Sequence, residues 1–429
     1  MTVVLLVLVT FSLLLTLQAG YTLYMMLYTW DQPEAERMAM APPRFRAPQR
    51  SFTVMLPARH EEEVIQTTIE RVTESNYPSA LLEVMVICSA DDIGTIRQAQ
   101  EKVDQLRRRG VTNVRVVVFD DGPINKPHGL NVALRQARQE VVTIFDAEDD
   151  IHPDIFSVVN TVMLDESVNV VQCGVQLMNY QSNWYSTLNV LEYFFWFKSR
   201  LHYHARQGAT PLGGNTIFFN RQTLERVGGW DEHNLTEDAD VGIRLSLLGE
   251  KVRVVYDDRY VTREETPPSL SQFVKQRTRW CQGFMQTLAK GDWKRLPTFR
   301  QRALAAYTLA FPNVQALLGV YLIASVFLMF TTKTPVPVAL VAVLPLYLLV
   351  AYLITAIIGL YEFTSAHGLK PSWTTPVLMV ITYMPYQWVL SYAAVRAAWR
   401  QFRGVNNWEK TSHVGAHRGQ PAGAVEQAA

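Results

Sequence analysis

The chain has 429 residues, of which 48% are hydrophobic and 18% are charged, and its formal net charge is +1. A chain of this length can bury a sizeable core, but the nearly balanced charge argues against a general nucleic-acid binder, which needs a concentrated basic surface to displace counterions from phosphates. Charge is also distributed unevenly along the chain, which indicates that membrane and soluble segments are both present.

The chain begins with an uncharged apolar segment. Residues 1–30 contain no Asp, Glu, Lys or Arg, and about 20 apolar residues are enough to cross a bilayer as a helix. A cleavable signal peptide is the alternative, but it would have a basic start and an apolar run of about 7–15 residues. The pattern therefore predicts an N-terminal transmembrane helix over residues 1–30.

Residues 50–290 alternate short β-branched runs with amphipathic stretches, which is typical of a soluble α/β domain. The predicted strands are Ser51–Leu56, Leu82–Cys88, Val114–Phe119 and Val141–Phe145. The helices predicted to follow them begin near Glu61 and cover Ile93–Arg109, Lys126–Arg138 and Pro153–Met163. Strands that alternate with helices indicate a parallel sheet with helices on both faces and ligand sites at the carboxyl ends of the strands.

Acidic side chains follow three of these strands. Asp91 and Asp92 follow the second strand, Asp120 and Asp121 the third, and the run Asp146-Ala-Glu-Asp-Asp150 the fourth. Because carboxylates gathered at one sheet edge repel each other, a divalent cation is expected among them. Aspartate is also common in polar turns and at helix caps. For the pair Asp120 and Asp121, this structural explanation fits the sequence as well as a cation site does.

Neither glycine-rich phosphate motif of common nucleotide enzymes is present. The chain has no G-x-G-x-x-G after its first strand and no G-x-x-x-x-G-K-[ST]. A dinucleotide oxidoreductase and a P-loop ATPase are therefore disfavoured. A phosphate-bearing ligand would have to be held by a metal ion and basic side chains instead.

Five motifs occur in the order found in one enzyme family. They are Asp91-Asp92, Lys126-Pro-His-Gly-Leu-Asn131, Asp146-Ala-Glu-Asp-Asp150, Thr236-Glu-Asp238 and Gln276-Arg-Thr-Arg-Trp280. Together they resemble the processive, inverting family-2 glycosyltransferases, the relatives of cellulose, chitin and hyaluronan synthases. The resemblance covers nearly the whole chain, and it implies a glycosyltransferase A-type fold, Rossmann-like with a mostly parallel sheet, joined to transmembrane and interfacial helices.

The resemblance implies roles for residues around a nucleotide-sugar donor. Asp146, with Glu148 or Asp149, would hold Mg²⁺ or Mn²⁺, which neutralises the diphosphate leaving group. Glu148 stands where the family usually has aspartate, so the identity of the second metal ligand stays open. His128 is either a nucleotide contact or a loop histidine without a ligand. The residues expected to contact the donor are Asp91, Asp92, Lys126, His128, Asp146, Gln276, Arg277 and Arg279.

The resemblance also identifies Asp238 as the general base that takes a proton from the acceptor hydroxyl. A single in-line displacement would then convert an α-linked donor into a β-linked product. Trp280 offers a flat apolar face for a sugar ring, and the other residues expected beside the acceptor are Gly214, Asn215 and Glu237.

Two of these motifs also have purely structural explanations. Thr236 could cap a helix whose first turn is acidic. The segment Gln276–Trp280 could belong to an interfacial helix with snorkelling arginines. The family resemblance favours the catalytic interpretation of both.

The last third of the chain contains three charge-poor segments, namely Ala303–Thr332, Thr334–Tyr361 and Pro371–Val395. Each is long enough to span a bilayer, and basic residues near the membrane ends place the central domain in the cytoplasm. Three full crossings would leave the basic tail, residues 399–429, outside, against the same rule. Pro371–Val395 is therefore predicted to be interfacial or re-entrant, so that residues 291–398 combine interfacial and transmembrane helices.

The sequence thus predicts an inner-membrane enzyme with a cytosolic catalytic domain. We expect it to transfer sugar from a UDP-sugar, with UDP-glucose ahead of UDP-N-acetylglucosamine, to the growing end of a β-linked polysaccharide. The apolar segments would provide an exit channel through the bilayer, and accessory export subunits are compatible with this role. The alternatives are a non-processive transferase that adds one sugar to a lipid or polyprenyl phosphate, and a non-catalytic transporter, which the few spans disfavour.

Overall fold

The computed structural model describes residues 2–331 and 334–409, which form an α/β domain and a group of long helices. The strands are β1 (Phe52–Pro57), β2 (Leu82–Ser89), β3 (Val114–Phe119), β4 (Val141–Ile144), β5 (Val170–Cys173), β6 (Val175–Leu177), β7 (Ile217–Asn220), β8 (Val252–Val255) and β9 (Thr262–Glu264). The helices of the α/β domain are α3 (Ile65–Thr73), α4 (Ile93–Arg108), α5 (Lys126–Leu134), α6 (Ile155–Glu166), α7 (Ser186–Phe195), α8 (Leu201–Gln207), α9 (Arg221–Arg226), α10 (Glu237–Leu247) and α11 (Leu270–Lys290). The remaining helices are α1 (Thr2–Asp31), α2 (Pro33–Ala39), α12 (Phe299–Thr331), α13 (Val336–Ala342), α14 (Leu344–Ala366) and α15 (Thr374–Phe402). A π-helical segment, Trp196–Arg200, joins α7 to α8.

The main sheet has seven strands in the order β3-β2-β1-β4-β7-β5-β8. Its pairs are parallel except that β7 runs antiparallel to both β4 and β5, and a second small sheet pairs β6 with β9. The predicted strands and the mostly parallel sheet are confirmed, whereas the antiparallel strand was not foreseen. Because the chain leaves β1 towards β2 and returns to β4 on the other side of β1, a crevice forms at the carboxyl ends of β1 and β4, where such sheets bind ligands.

The main sheet is buried on both faces because its side chains alternate between two apolar clusters. Along β1, Phe52, Val54 and Leu56 pack in a cluster with α3, α4 and α6, whereas Met55 packs in a cluster with α5, α7 and α14. This alternation follows from the two-residue period of a strand. The second cluster joins the sheet directly to the long apolar helices, so the two parts of the molecule share a core.

Helix α5, which carries Lys126, has well-defined ends. The Asn125 side chain accepts a hydrogen bond from the His128 N–H at 2.9 Å, so the helix begins at Lys126. It ends at Leu134 rather than at Arg138 as predicted. The physical reason is that the backbone N–H of Arg138 donates to Glu83 Oε2 at 3.0 Å, which turns the chain towards β4. The predicted helix near Glu61 likewise begins later, at Ile65.

Three helical stretches in the described residues are long and apolar enough to cross a membrane, judged by length and composition: Leu5–Asp31, Phe299–Thr331 and Val336–Ala366. Helix α15 does not meet this criterion. Its outer face is an apolar stripe with exposed Trp388, Tyr392, Val395 and Trp399, while its other face packs on α11 and α12. The interfacial or re-entrant placement of Pro371–Val395 stays a prediction. Thr332 and residues 410–429 of the predicted basic tail lie outside the described residues.

Candidate active site

A cavity of about 1120 Å³ extends from the carboxyl ends of β1 and β4 to the space between α1, α12 and α14. One part, here called the acidic end, is lined by Lys126, Asp146, Glu148, Glu237 and Asp238. The other part, here called the membrane end, is lined by Gln18, Thr22, Trp196, Arg200, Phe311 and Tyr352. The cavity therefore connects the loops of the α/β domain with the candidate membrane spans.

Most residues predicted for the site line this cavity. They are Lys126, Asp146, Glu148, Gly214, Asn215, Glu237, Asp238, Gln276, Arg277, Arg279 and Trp280. The remaining four, Asp91, Asp92, His128 and Asp149, are described by the structure but do not line the cavity.

Lys126 neutralises part of the acidic end. Its Nζ lies 2.5 Å from Asp146 Oδ1 and donates to the carbonyl of Gly214 at 3.1 Å. Although burial lowers it, the carboxylates of Asp146 and Glu237 raise the pKa of Lys126 above its usual value. The ammonium group therefore stays charged and ties the end of β4 to the glycine turn before β7.

The acidic run after β4 separates into residues that face the cavity and one that does not. Asp146 and Glu148 line the cavity. Asp149 is fully buried, and its Oδ2 accepts from the Asp146 N–H at 2.8 Å and from Asn215 Nδ2 at 2.9 Å. Burial, and next the charge of Glu264, raise the pKa of Asp149 well above its usual value.

This placement bears on the predicted metal ligands. Carboxylate oxygens are among the donors that Mg²⁺ and Mn²⁺ prefer, so Asp146 and Glu148 fit such a cation. The placement does not support Asp149 as a ligand, because it does not line the cavity and its oxygens already accept hydrogen bonds. Asn215 was predicted to lie beside the acceptor. It lines the cavity, but its amide also donates a hydrogen bond to Asp149 and so supports that side chain.

Asp91 and Asp92 hold the loop after β1 instead of facing the cavity. Asp91 Oδ2 lies 2.9 Å from Arg59 Nη2, and Asp92 Oδ2 accepts from the His60 N–H at 2.6 Å. Arg59 and His60 themselves line the cavity. Neither residue belongs to a recognised motif, but both follow the first predicted strand, and that position was a signal for them in the sequence. His60 and Glu62 of this loop, together with Asp92 before α4, also place potential metal-ligand atoms within 4.8 Å of one another.

His128 fastens α5 to the loop that precedes α10. Its Nδ1 lies 2.9 Å from Glu232 Oε2, and Asn131 Nδ2 donates to Glu232 Oε1 at 2.8 Å. Asn125 Nδ2 donates to the Glu232 carbonyl, also at 2.8 Å. The structure therefore gives His128 a supporting contact behind Lys126. Glu232 lines the cavity but belongs to none of the recognised motifs, which is why the sequence did not reveal it.

Two carboxylates begin α10, the buried Glu237 and the half-buried Asp238. Asp238 Oδ1 accepts from the Ala239 N–H at 2.8 Å, and a methyl group on Gly214 would lie 3.4 Å from Asp238 Oδ2. Burial, and then repulsion from Asp238, raise the pKa of Glu237 to about 7. Burial also raises the pKa of Asp238. A carboxylate with a raised pKa is suited to accept a proton near neutral pH.

Helix α11 packs closely against the start of α10. A Cβ atom on Gly283 would lie 2.5 Å from the backbone nitrogen of Thr236, so only glycine permits this approach. Thr236 occupies the position before the first turn of α10, although its side chain makes no capping hydrogen bond. The close contact brings Gln276, Arg279 and Trp280 into the cavity that also contains Asp238.

The two arginines of α11 have different surroundings. Arg277 Nη2 lies 2.5 Å from Glu192 Oε2, and its guanidinium lies 4.5 Å from the ring centroid of Trp280. Arg277 therefore supports Trp280 and is already paired. The guanidinium of Arg279 lies 4.5 Å from the ring centroid of Trp408, and its Nε has no hydrogen-bond partner among the described residues. Arg279 is thus better placed than Arg277 to meet a phosphate.

Comparison with known proteins finds a matching family and several relatives. Residues 48–283 match the family described as "Glycosyltransferase like family 2". The chain is 28% identical over 240 residues to the beta-monoglucosyldiacylglycerol synthase of Synechocystis, covering 56% of this chain and 49% of that one. It is 24% identical over 276 residues to the poly-beta-1,6-N-acetyl-D-glucosamine synthase of Staphylococcus epidermidis, covering 63% of each. The chain thus spans less than two thirds of the length of either relative.

A solved structure shares the fold. The mannosyltransferase of Pyrobaculum calidifontis, determined in complex with GDP-Man and Mn²⁺, superposes with a TM-score of 0.54 at 21% sequence identity. The match covers 92% of this chain and 99% of that chain. The glycosyltransferase A-type fold predicted from the sequence is therefore confirmed.

Proposed function

This chain belongs to glycosyltransferase like family 2, and from that premise we propose that it transfers sugar from a UDP-sugar to the growing end of a β-linked polysaccharide. The observation that carries the proposal is that Lys126, Asp146 and Asp238 share one cavity, which continues between candidate membrane spans. UDP-glucose is the proposed donor. The catalytic domain, residues 50–290, is proposed to lie at the cytosolic face of the inner membrane.

Lys126 and Arg279 are proposed to hold the diphosphate of the donor, because both are cations that line the cavity. Asp146 and Glu148 would hold Mg²⁺ or Mn²⁺. When bound, such a cation stabilises the negative charge that develops on the departing diphosphate. The ion pair between Lys126 and Asp146 supports this assignment, since it already gathers a cation and a carboxylate at the place where the diphosphate would bind.

Asp238 is proposed as the general base. Its carboxylate lines the cavity, and burial raises its pKa above the usual value, which makes it a stronger base towards the proton of an acceptor hydroxyl. The hydroxyl oxygen then forms the new bond to the anomeric carbon while the bond to the nucleotide breaks on the opposite side. An α-linked donor would therefore yield a β-linked product, with Trp280 stacked on the acceptor sugar and Glu237 supporting the base.

Polar side chains deep in the cavity favour a glycan acceptor. Gln18, Thr22, Gln315 and Gln387 line the cavity, and Gln315 Nε2 donates to Gln387 Oε1 at 3.2 Å. Polar groups within membrane spans are costly and usually functional. Amides and hydroxyls along this route would bond to the hydroxyl groups of a glycan that leaves through the membrane.

Transfer of a single sugar to a lipid is the second candidate. Apolar residues such as Leu318, Leu349, Ala356 and Leu390 also line the cavity and could accommodate lipid chains. The similarity to a beta-monoglucosyldiacylglycerol synthase favours the same candidate. The cavity would then admit the lipid from the side of the spans.

Product analysis separates the two candidates. The purified chain would be incubated with radiolabelled UDP-glucose, UDP-N-acetylglucosamine or other nucleotide sugars in the presence of Mg²⁺ or Mn²⁺. We expect donor-dependent release of UDP and a long product that a β-glycanase degrades. If the sole product is a lipid carrying one sugar, polymer synthesis is rejected and single-sugar transfer to a lipid takes its place. Absence of nucleotide release from every donor would remove both.

A further inference from the structure

Arg200 is a half-buried cation at the membrane end of the cavity. It lines the cavity, and within residues 2–331 and 334–409 no carboxylate oxygen lies within the 4.0 Å of an ion pair. Its Nε is buried and has no hydrogen-bond partner in the part of the chain that the structure describes. A guanidinium carries five N–H donors and stays charged at all relevant pH values. Removing such a charge from water without a partner costs free energy, and a bound anion would offset that cost.

Aromatic rings hold Arg200 in place without neutralising it. Its Cζ lies 5.2 Å from the ring centroid of Trp196 and 5.9 Å from that of Phe311. Such cation–π contacts offset part of the desolvation cost. The residue ends the π-helical segment Trp196–Arg200, and π-helical turns occur frequently at functional sites. The side chain is therefore presented as a fixed donor group.

Arg200 lies beside the parts of α1 and α12 that are nearer the α/β domain. Helices α1 and α12 have 30 and 33 residues, or about 45 and about 50 Å, whereas the hydrocarbon core of a bilayer is about 30 Å thick. Each helix is therefore longer than the hydrocarbon core that it would cross, and part of it would lie in the headgroup region. Phe311 and Thr22, which line the membrane end with Arg200, lie 12 residues from the start of α12 and 9 residues from the end of α1.

The groups around Arg200 are neutral. Thr308 and Gln18 line the same part of the cavity. His204 Nδ1 lies 3.0 Å from the Ala209 carbonyl. Burial, and then the charge of Arg200, lower the pKa of His204 to about 3, so its imidazole carries no charge at neutral pH. A single positive charge among neutral donors is suited to an anion with several oxygens.

We propose that Arg200 binds the phosphate of a membrane lipid. The non-bridging phosphate oxygens would accept two parallel N–H bonds from the planar guanidinium, a match that lysine cannot reproduce. The hydrocarbon chain of the lipid would lie against the apolar residues between the spans. The phosphodiester of a bilayer phospholipid and the phosphate monoester of a polyprenyl lipid share this chemistry. The inference goes beyond the sugar transfer at the acidic end and does not depend on it.

Lipid binding to the purified chain, measured by native mass spectrometry in a neutral detergent, tests the inference without turnover. The probes are phosphatidylglycerol, a polyprenyl phosphate, inorganic phosphate and, as a lipid without phosphate, diacylglycerol. The variants are Arg200→Gln and Arg200→Lys. The matched control is Arg206→Gln, which alters an exposed arginine six positions along the chain that donates to the Tyr28 hydroxyl at 2.8 Å.

We expect Arg200→Gln to weaken binding of at least one phosphorylated lipid by about tenfold or more, as lost hydrogen bonds to a charged group do. Arg200→Lys should weaken it less, and Arg206→Gln should leave it unchanged. None of the variants should alter diacylglycerol binding. Thermal unfolding of each variant checks its folding, and if Arg200→Gln does not fold, weaker binding by Arg200→Lys remains the test.

Equal affinity of the wild-type chain and both Arg200 variants for the two phosphorylated lipids would overturn the inference. Displacement of the lipid by millimolar inorganic phosphate would overturn it as well, because it would mark an anion site open to water. Preference for the phosphodiester or the monoester identifies the source of the phosphate. UDP release is measured separately, so turnover without lipid binding would refute only this inference.

Discussion

The two ends of the cavity are built from opposite kinds of residue. The acidic end gathers four carboxylates around Lys126, whereas the residues that define the membrane end are amides, hydroxyls, aromatic rings and Arg200. Buried carboxylates that repel each other are suited to proton transfer and to cation binding. Neutral polar groups and rings can only bind. Substitutions at the acidic end should therefore impair the chemical step, whereas substitutions at the membrane end should impair binding of the acceptor.

The largest expected effect comes from Asp238→Asn at the acidic end. We expect turnover to fall about 10³-fold, because a general base contributes roughly 10²–10⁴, while UDP binding stays within a few-fold of the wild type. UDP release and calorimetric UDP binding measure the two. The neighbouring Glu237→Gln variant should lose less activity. Unaltered turnover in Asp238→Asn would remove this residue from its proposed role.

Removal of a proposed metal ligand should have the next largest effect. Asp146→Asn should lower turnover about 10²-fold, since a metal ion supplies several kcal/mol of charge stabilisation, and it should weaken Mn²⁺ binding measured by electron paramagnetic resonance. Glu148→Gln should weaken Mn²⁺ binding more than Asp149→Asn does, because Glu148 lines the cavity and Asp149 does not. The reverse order would assign the second ligand to Asp149.

Trp280→Ala should affect the acceptor and leave the donor bound. Loss of ring stacking costs about 0.5–1.5 kcal/mol, so the acceptor KM should rise roughly 2–12-fold. The donor KM should change little. Trp388→Ala, on the exposed face of α15, serves as a control for removal of a tryptophan. A rise confined to the donor KM would instead place Trp280 at the nucleotide.

The smallest expected effect is a displacement of the pH profile. Transfer requires Asp238 without its proton, and burial raises the pKa of this carboxyl above the usual 3.8. The acid limb of kcat/KM should therefore lie at higher pH than for an exposed aspartate, and activity should fall as the pH drops through it. Activity that persists undiminished below pH 3.8 would contradict a base with a raised pKa.

The elements around the site were predictable where local pattern determines structure. The runs that became β1, β2, β3 and β4 are short and β-branched, and tertiary packing did not override them. Whether a given carboxylate faces the cavity or the protein interior was not predictable from the sequence. Glu148 and Asp149 are adjacent in sequence, yet only Glu148 lines the cavity. Asp92 likewise faces the His60 N–H and does not line the cavity.

Residues without a motif were missed for a different reason. Glu232 enters the site because it anchors His128. Arg200 does so because a π-helical segment turns it towards α12. Trp408 reaches the cavity from the far end of the chain and meets Arg279. Each contact depends on packing between distant segments, which composition and periodicity do not encode.

The anomeric configuration of the product tests the acidic end most directly. The purified chain would be given α-linked UDP-glucose labelled with ¹³C at the anomeric carbon, and the new linkage would be identified by nuclear magnetic resonance. We expect every new linkage to be β, because Asp238 would activate the acceptor for a single displacement. An α-linked product would contradict this mechanism.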